Sequence, residues 1–136
     1  MENTINTNQF IKGYIDAALW STVDFYDEEG NEAYNLDDEF SEVSPNCYNA
    51  MQKDCHEFIK ENNDNLIAFK ALANCDDFRL GSLFWLNRAG HGVGYWDVLA
   101  NGEDVGETLS DACRNWGKFP LYGDFNKGYV CSHHYG

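Results

Sequence analysis

Positive charge is the scarcest thing in this sequence. Nine lysines and arginines stand against 23 aspartates and glutamates, for a formal net charge of −14. Affinity for nucleic acid comes largely from Lys and Arg displacing the counterions of phosphates, so the charge argues against direct nucleic-acid binding. The same shortage disfavours anionic membrane surfaces, and no apolar run approaches the ~20 residues of a membrane span. Met1-Glu2-Asn3-Thr4 has no basic segment leading into an apolar one, so no secretory signal is expected. The cysteines at 47, 55, 75, 113 and 131 are odd in number and scattered. Without an export signal they are expected to be reduced thiols, most of them acting as small buried apolar residues. A cytoplasmic protein is the expectation.

Motifs for several chemistries are also missing. There is no G-x-x-x-x-G-K phosphate loop, and Gly90-His91-Gly92-Val93-Gly94 lacks the strand-to-helix setting of a dinucleotide turn. Asp24, Asp27, Glu29 and Glu32 flank Gly30 but do not follow the order of a calcium-binding EF-hand loop. Cys55-His56 and Cys131-Ser132-His133-His134 hold soft ligands without the paired spacing of a structural zinc site. No cofactor and no metal is expected.

What is present is apolar and aromatic. Four Trp, eight Tyr and nine Phe in 136 residues suit one folded domain and rule out a disordered composition. From about Thr7 to Val23, residues Phe10, Ile11, Tyr14, Ile15, Ala18, Leu19 and Thr22 recur at helical steps, with Thr7 or Asn8 available as cap. Gly13 weakens that helix and would permit close approach by a neighbouring element. Ser44-Pro45 opens a second helix carrying Cys47, Tyr48, Met51, Cys55, Phe58 and Ile59, which Asn62-Asn63-Asp64-Asn65 should interrupt. A short third helix is expected over Leu66 to Ala73.

From Leu80 the pattern changes. Ser82 to Arg88 and Gly94 to Val98 read as two strands joined by a glycine loop, a β-hairpin. Val105, Leu109, Ala112, Cys113 and Trp116 mark an amphipathic helix stopped by Gly117, and Phe119–Tyr122 and Gly128–Ser132 read as a last strand pair around residues 123–127. The expected fold is α+β, N-terminal helices packed on a small antiparallel sheet, in the order α-α-(α)-β-β-α-β-β. It forms a single domain over 1–136, with a mainly helical part at 1–76 and a ββαββ part at 80–136.

Two places could carry function. The stretch Asp24 to Glu42 holds nine acids and no base: Asp24, Asp27, Glu28, Glu29, Glu32, Asp37, Asp38, Glu39 and Glu42. It reads as a loop or irregular acidic arm, pinned by Phe25, Tyr26, Tyr34, Leu36 and Phe40, that would meet a basic partner. Exposed aromatics such as Tyr26, Tyr34 or Trp96 would anchor the contact. The second place is the glycine-rich hairpin, where Arg88, His91, Trp96 and Asp97 could form a ligand site or a structural turn. His91 could titrate near neutral pH with Asp97 orienting it, although no Ser or Cys nucleophile stands nearby.

The hairpin sequence resembles a group of small proteins encoded by bacteriophages and prophages, whose pattern is roughly F-W-L-T-R-N-G-H-G-A-G-F-W-D. Phe84, Trp85, Leu86, Arg88, Gly90, His91, Gly92, Gly94, Trp96 and Asp97 match it, as do Leu109, Gly117, Tyr122, Gly123, Asp124, Gly128 and Tyr129 further on. Phe10, Tyr14, Leu19 and Trp20 are similar to its N-terminal helix, while Asn87, Ala89, the cysteines and the His133-His134 tail depart from it. The resemblance implies phage origin and action in the cytoplasm of an infected bacterium, and brings no catalytic role with it. Together with the charge it suggests a binding protein that inhibits a host defence or nucleic-acid-processing complex, of the anti-CRISPR or DNA-mimic kind. The alternative is a small enzyme or ligand-binding domain that uses His91 and Asp97.

Overall fold

The computed structural model describes residues 4–90, 93–98 and 104–135. The class is α+β, with six helices and four strands in two small antiparallel pairs among those residues. Helix α1 spans Thr7–Ser21, and Asn6 rather than Thr7 or Asn8 caps it by accepting a hydrogen bond from the Gln9 amide at 3.1 Å. Strands β1 (Val23–Phe25) and β2 (Ala33–Asn35) follow, then the single turn α2 (Leu36–Glu39). Helix α3 runs over Pro45–Ala73, α4 over Asp77–Ala89, α5 over Tyr95–Val98 and α6 over Asp104–Arg114. Strands β3 (Leu121–Asp124) and β4 (Tyr129–Ser132) close the chain where the last strand pair was expected.

Helix α3 begins as its sequence dictates. The Ser44 hydroxyl accepts from the Cys47 amide at 3.0 Å and Pro45 occupies the first turn. The asparagine run interrupts it as expected, at its first residue: Asn62 leaves helical geometry (φ −124°, ψ 20°) and its side chain donates to the Phe58 carbonyl at 3.0 Å. The second and third expected helices are therefore one kinked helix.

The expected hairpin over 82–98 does not form. Its first strand is the heart of α4, capped by the Asp76 carboxylate, which accepts from the Arg79 amide at 2.8 Å. Leu80 through Leu86 is buried without a break, so the middle of α4 is buried on every face. Such a run carries no helical stripe and is indistinguishable from a buried strand by periodicity alone. Gly90, at φ 75°, is the left-handed cap of α4 rather than part of a two-strand turn. Gly94 to Val98 is the short helix α5.

Helices α1 and α4 make the most extensive contact of any two elements described. They cross backbone to backbone at Gly13 and Gly81. A Cβ on Gly13 would lie 1.8 Å from the Phe78 carbonyl oxygen, and one on Gly81 would lie 1.8 Å from that of Phe10. Two hydrogen bonds hold the crossing, one at this contact and one further along both helices. The Ser82 hydroxyl donates to the Gly13 carbonyl at 3.1 Å, and the Trp85 indole donates to the Ser21 hydroxyl at 2.9 Å. Phe10, Tyr14, Phe58 and Phe84 fill the space below, with the Phe58 and Phe84 rings stacked 4.0 Å apart.

Candidate functional site

The acidic stretch is an ordered structure, not an irregular loop. Strands β1 and β2 pair in the register Val23↔Asn35, Asp24↔Tyr34 and Phe25↔Ala33, and the Tyr26 amide extends the ladder to the Glu32 carbonyl at 3.0 Å. The turn is closed by Asp27, whose carboxylate accepts from the Asn31 amide at 3.0 Å. At the start of α2 the Asp38 carboxylate accepts from the Asn35 amide at 3.1 Å. The acids that open turns also hold this arm in shape.

Of two further carboxylates, Asp24 ties the arm to the body and Glu39 braces it internally. One oxygen of Asp24 accepts from the Gly123 amide of β3 at 2.9 Å and from the Tyr34 hydroxyl at 3.4 Å. Glu39 accepts from the Tyr26 hydroxyl at 2.6 Å, a bond that pushes the Tyr26 phenol up to about 12. Burial and the Asp24 carboxylate push Tyr34 up to about 12 as well. The Tyr26 ring stacks on Tyr34 with centroids 4.5 Å apart, and Phe125 from the β3–β4 turn packs on Tyr26, Tyr34 and Phe40. Tyr34 is only 5% exposed and cannot anchor a partner, which corrects one expectation; Tyr26 is 44% exposed and can. Phe125 is exposed beside it, and Phe25, the preceding residue of β1, is exposed as well.

Eight of the nine acids are exposed, Asp24 being the exception. Among the described residues the ion pairs are Lys70–Asp77, Arg88–Asp54 and Arg114–Asp111, and none involves the arm. The side chains of Glu28, Glu29, Glu32, Asp37 and Glu42 make no hydrogen bond among the described residues.

The second candidate group is divided by the structure. Arg88 faces inward and knits four parts of the chain together. It donates to the Asp54 carboxylate at 2.6 Å, the Tyr14 hydroxyl at 2.9 Å and the Gly117 carbonyl at 2.6 Å. Its guanidinium also lies 5.4 Å from the Trp116 ring centre and 5.1 Å from that of Phe119. Burial pushes the Tyr14 phenol well above its usual range, against the pull of the Arg88 charge. Burial opposes the Arg88 charge too, but Tyr14 and Asp54 outweigh it and its pKa rises.

Asp97 accepts from the Gly94 amide at 2.8 Å, the carboxylate-to-cap bond of a short helix start. Asn87 receives the Tyr95 amide at 3.2 Å and the Ser110 hydroxyl at 2.7 Å, so α5 is tied to both α4 and α6. Trp96 is 51% exposed and borders a hollow of about 320 Å³ with Glu107, Asp111 and Arg114. His91 and Gly92 lie outside the described residues. A hollow of about 330 Å³ opens near the end of α4, lined by Val23, Trp85, Ala89, Lys118, Phe119 and Leu121 among others. The Ser21 hydroxyl at its edge is already taken by Trp85.

Cys55 is buried in the core, and the His133 ring lies 4.7 Å from that of Tyr122. Among the described residues no three His, Cys, Asp or Glu side chains come together as a metal cluster. Burial pushes the Cys47 and Cys113 thiols up to about 12.

Comparison of the chain with protein-family models, curated proteins and solved structures gives no match. No matched relative therefore contributes to the functional reading. Sequence reasoning missed Phe125 as a support of the arm and Asp24 as its tether to β3. Neither leaves a local signal, because each partner lies about ninety residues or more away.

Proposed function

We propose that this chain is a stoichiometric binding protein that presents its acidic arm to a basic partner. One observation carries the reading. The arm over residues 24–42 collects nine carboxylates without a counter-charge and holds them on a backbone fixed by Asp24, Asp27, Asp38 and Glu39. Ordering such a surface before encounter lowers the entropy cost of association. Uncompensated charge steers a cationic surface toward it and raises the on-rate. The exposed rings of Phe25, Tyr26 and Phe125 supply apolar area within the acidic field, which charge alone does not provide.

Surfaces that hold phosphates are rich in Lys and Arg, so a nucleic-acid-processing protein is the partner class this arm fits best. The resemblance to phage-encoded proteins supports a target in the bacterial host, such as a defence complex, with the chain acting as its inhibitor. Arg88 and Asp97, which an enzyme would need free, are engaged in structure, Arg88 joining α4 to α3 and Asp97 capping the start of α5.

The test compares two charge-reversal triples of equal net change. Glu28→Lys/Glu29→Lys/Glu32→Lys alters the arm; Glu57→Lys/Glu61→Lys/Asp64→Lys alters an exposed part of α3. At low salt, the wild type and the α3 triple should retain a Lys- and Arg-rich protein from bacterial lysate, and the arm triple should lose it. Retention of nothing by the wild type, or equal loss with both triples, refutes the reading.

A further inference from the structure

Beside the foot of the arm lies a groove of about 420 Å³, within the ~300–1,000 Å³ range of ligand pockets. Ile15 of α1 and Val43 line it together with Pro45 and Tyr48 from the start of α3, and Glu42 and Ser41 stand at one side. The backbone that carries this lining is fixed by hydrogen bonds. The Glu42 carbonyl accepts from the Val130 amide at 3.0 Å, and the Ser44 amide donates to the Val130 carbonyl at 2.7 Å. The Tyr48 amide is held by the Ser44 carbonyl at 2.8 Å in the first turn of α3, leaving its ring 40% exposed.

We propose that this groove receives an arginine side chain of the basic partner, an inference that rests on the binding reading above. An apolar floor, one carboxylate and one exposed ring form a mixed set. The aliphatic stem of an arginine matches Ile15 and Val43, as long cationic side chains bury their stems on apolar surface. The flat guanidinium stacks on the Tyr48 ring and donates to Glu42 in a forked pair. A lysine could reach the same carboxylate, but its ammonium is a strongly hydrated point charge with no flat face to stack. The acids of the arm bring the cation to this end of the molecule; the groove chooses which cation stays.

The test measures fluorescence anisotropy of labelled nona-arginine and nona-lysine peptides with the wild-type protein and its Tyr48→Ala, Tyr48→Phe, Glu42→Gln and Tyr26→Ala variants. Thermal unfolding confirms that each variant is folded. The wild type should prefer nona-arginine. Tyr48→Ala should reduce that preference about two- to fivefold, the size of one exposed cation–π contact. Glu42→Gln should also reduce it, and Tyr48→Phe, which keeps the ring, should not. An unchanged preference in both Tyr48→Ala and Glu42→Gln overturns the groove and leaves the arm reading standing. A loss of preference in Tyr26→Ala instead moves the cation to the hairpin rings and also overturns it. Failure of the wild type to bind either peptide overturns the arm reading and the groove together.

Discussion

Replacing Gly81 with alanine tests the helix crossing at its tightest point. In an ordinary exposed helix this change stabilises by about 1 kcal/mol, because alanine has the better helix propensity. Here the new methyl would sit 1.8 Å from the Phe10 carbonyl oxygen, a backbone atom that cannot swing aside. Helices α1 and α4 would have to part by roughly 1.5 Å to restore ordinary contact. Parting them strains packing at a cost of about 1–3 kcal/mol. It also stretches the Ser82–Gly13 and Trp85–Ser21 bonds, each worth about 1 kcal/mol. The propensity gain does not offset these losses, and a net destabilisation of about 2–4 kcal/mol follows. For a chain of this length the midpoint of thermal unfolding should fall by roughly 8–15 °C. Gly13→Ala should behave alike, since its Cβ meets the Phe78 carbonyl at the same distance. The double variant should cost clearly less than the sum, because helices already parted by one methyl have room for the second. Urea unfolding followed by far-ultraviolet circular dichroism measures all three. A stabilised Gly81→Ala, or strict additivity, would refute the proposed geometry.

Arg88→Ala should destabilise by about 2–4 kcal/mol, less than a fully buried pair because Asp54 keeps some water contact. Arg88→Met/Asp54→Leu should recover part of that loss in the same urea assay, since no charge is then left unpaired. In an alkaline titration followed at 295 nm, part of the tyrosine signal should appear late, with Tyr26 and Tyr34 ionising at about 12. Both phenols are raised above the ordinary value of about 10, so their hydrogen bonds support the arm below that pH and lose their effect as pH rises through 12. Glu39→Gln should move the Tyr26 step back toward 10, and an unchanged late phase would contradict the Tyr26–Glu39 bond.

Much of the fold is legible along the chain, and the exceptions share a cause. The stripe from Phe10 to Leu19, the Ser44-Pro45 start and the strands around residues 123–127 all carry local signals that decide their conformation. Helix α4 reads as a strand in the sequence because residues 80–86 are buried on all sides, and their aromatic run fits either period. Its one local clue is Asp76, a preferred cap placed before an apolar run. The acidity of residues 24–42 is plain in the sequence, but their shape is not. That shape depends on Gly123 and Phe125, and no short window holds both sides of those contacts. The motif residues Phe84, Trp85, Leu86 and Arg88 suggested a functional hairpin; the structure uses them as core and as the cation that joins Tyr14, Asp54 and Gly117.

The bond from Asp24 to Gly123 spans 99 residues of chain. A contact of that reach closes late, because a long loop must be ordered before it forms. During synthesis the acids of the arm leave the ribosome well before Gly123 and Phe125 are made. A nascent or prematurely ended chain would display the same charge on an untethered hairpin, without Phe125 beneath its tyrosines. The β3–β4 turn thus acts as a check on the arm, which takes its fixed form only once that turn has been made and folded.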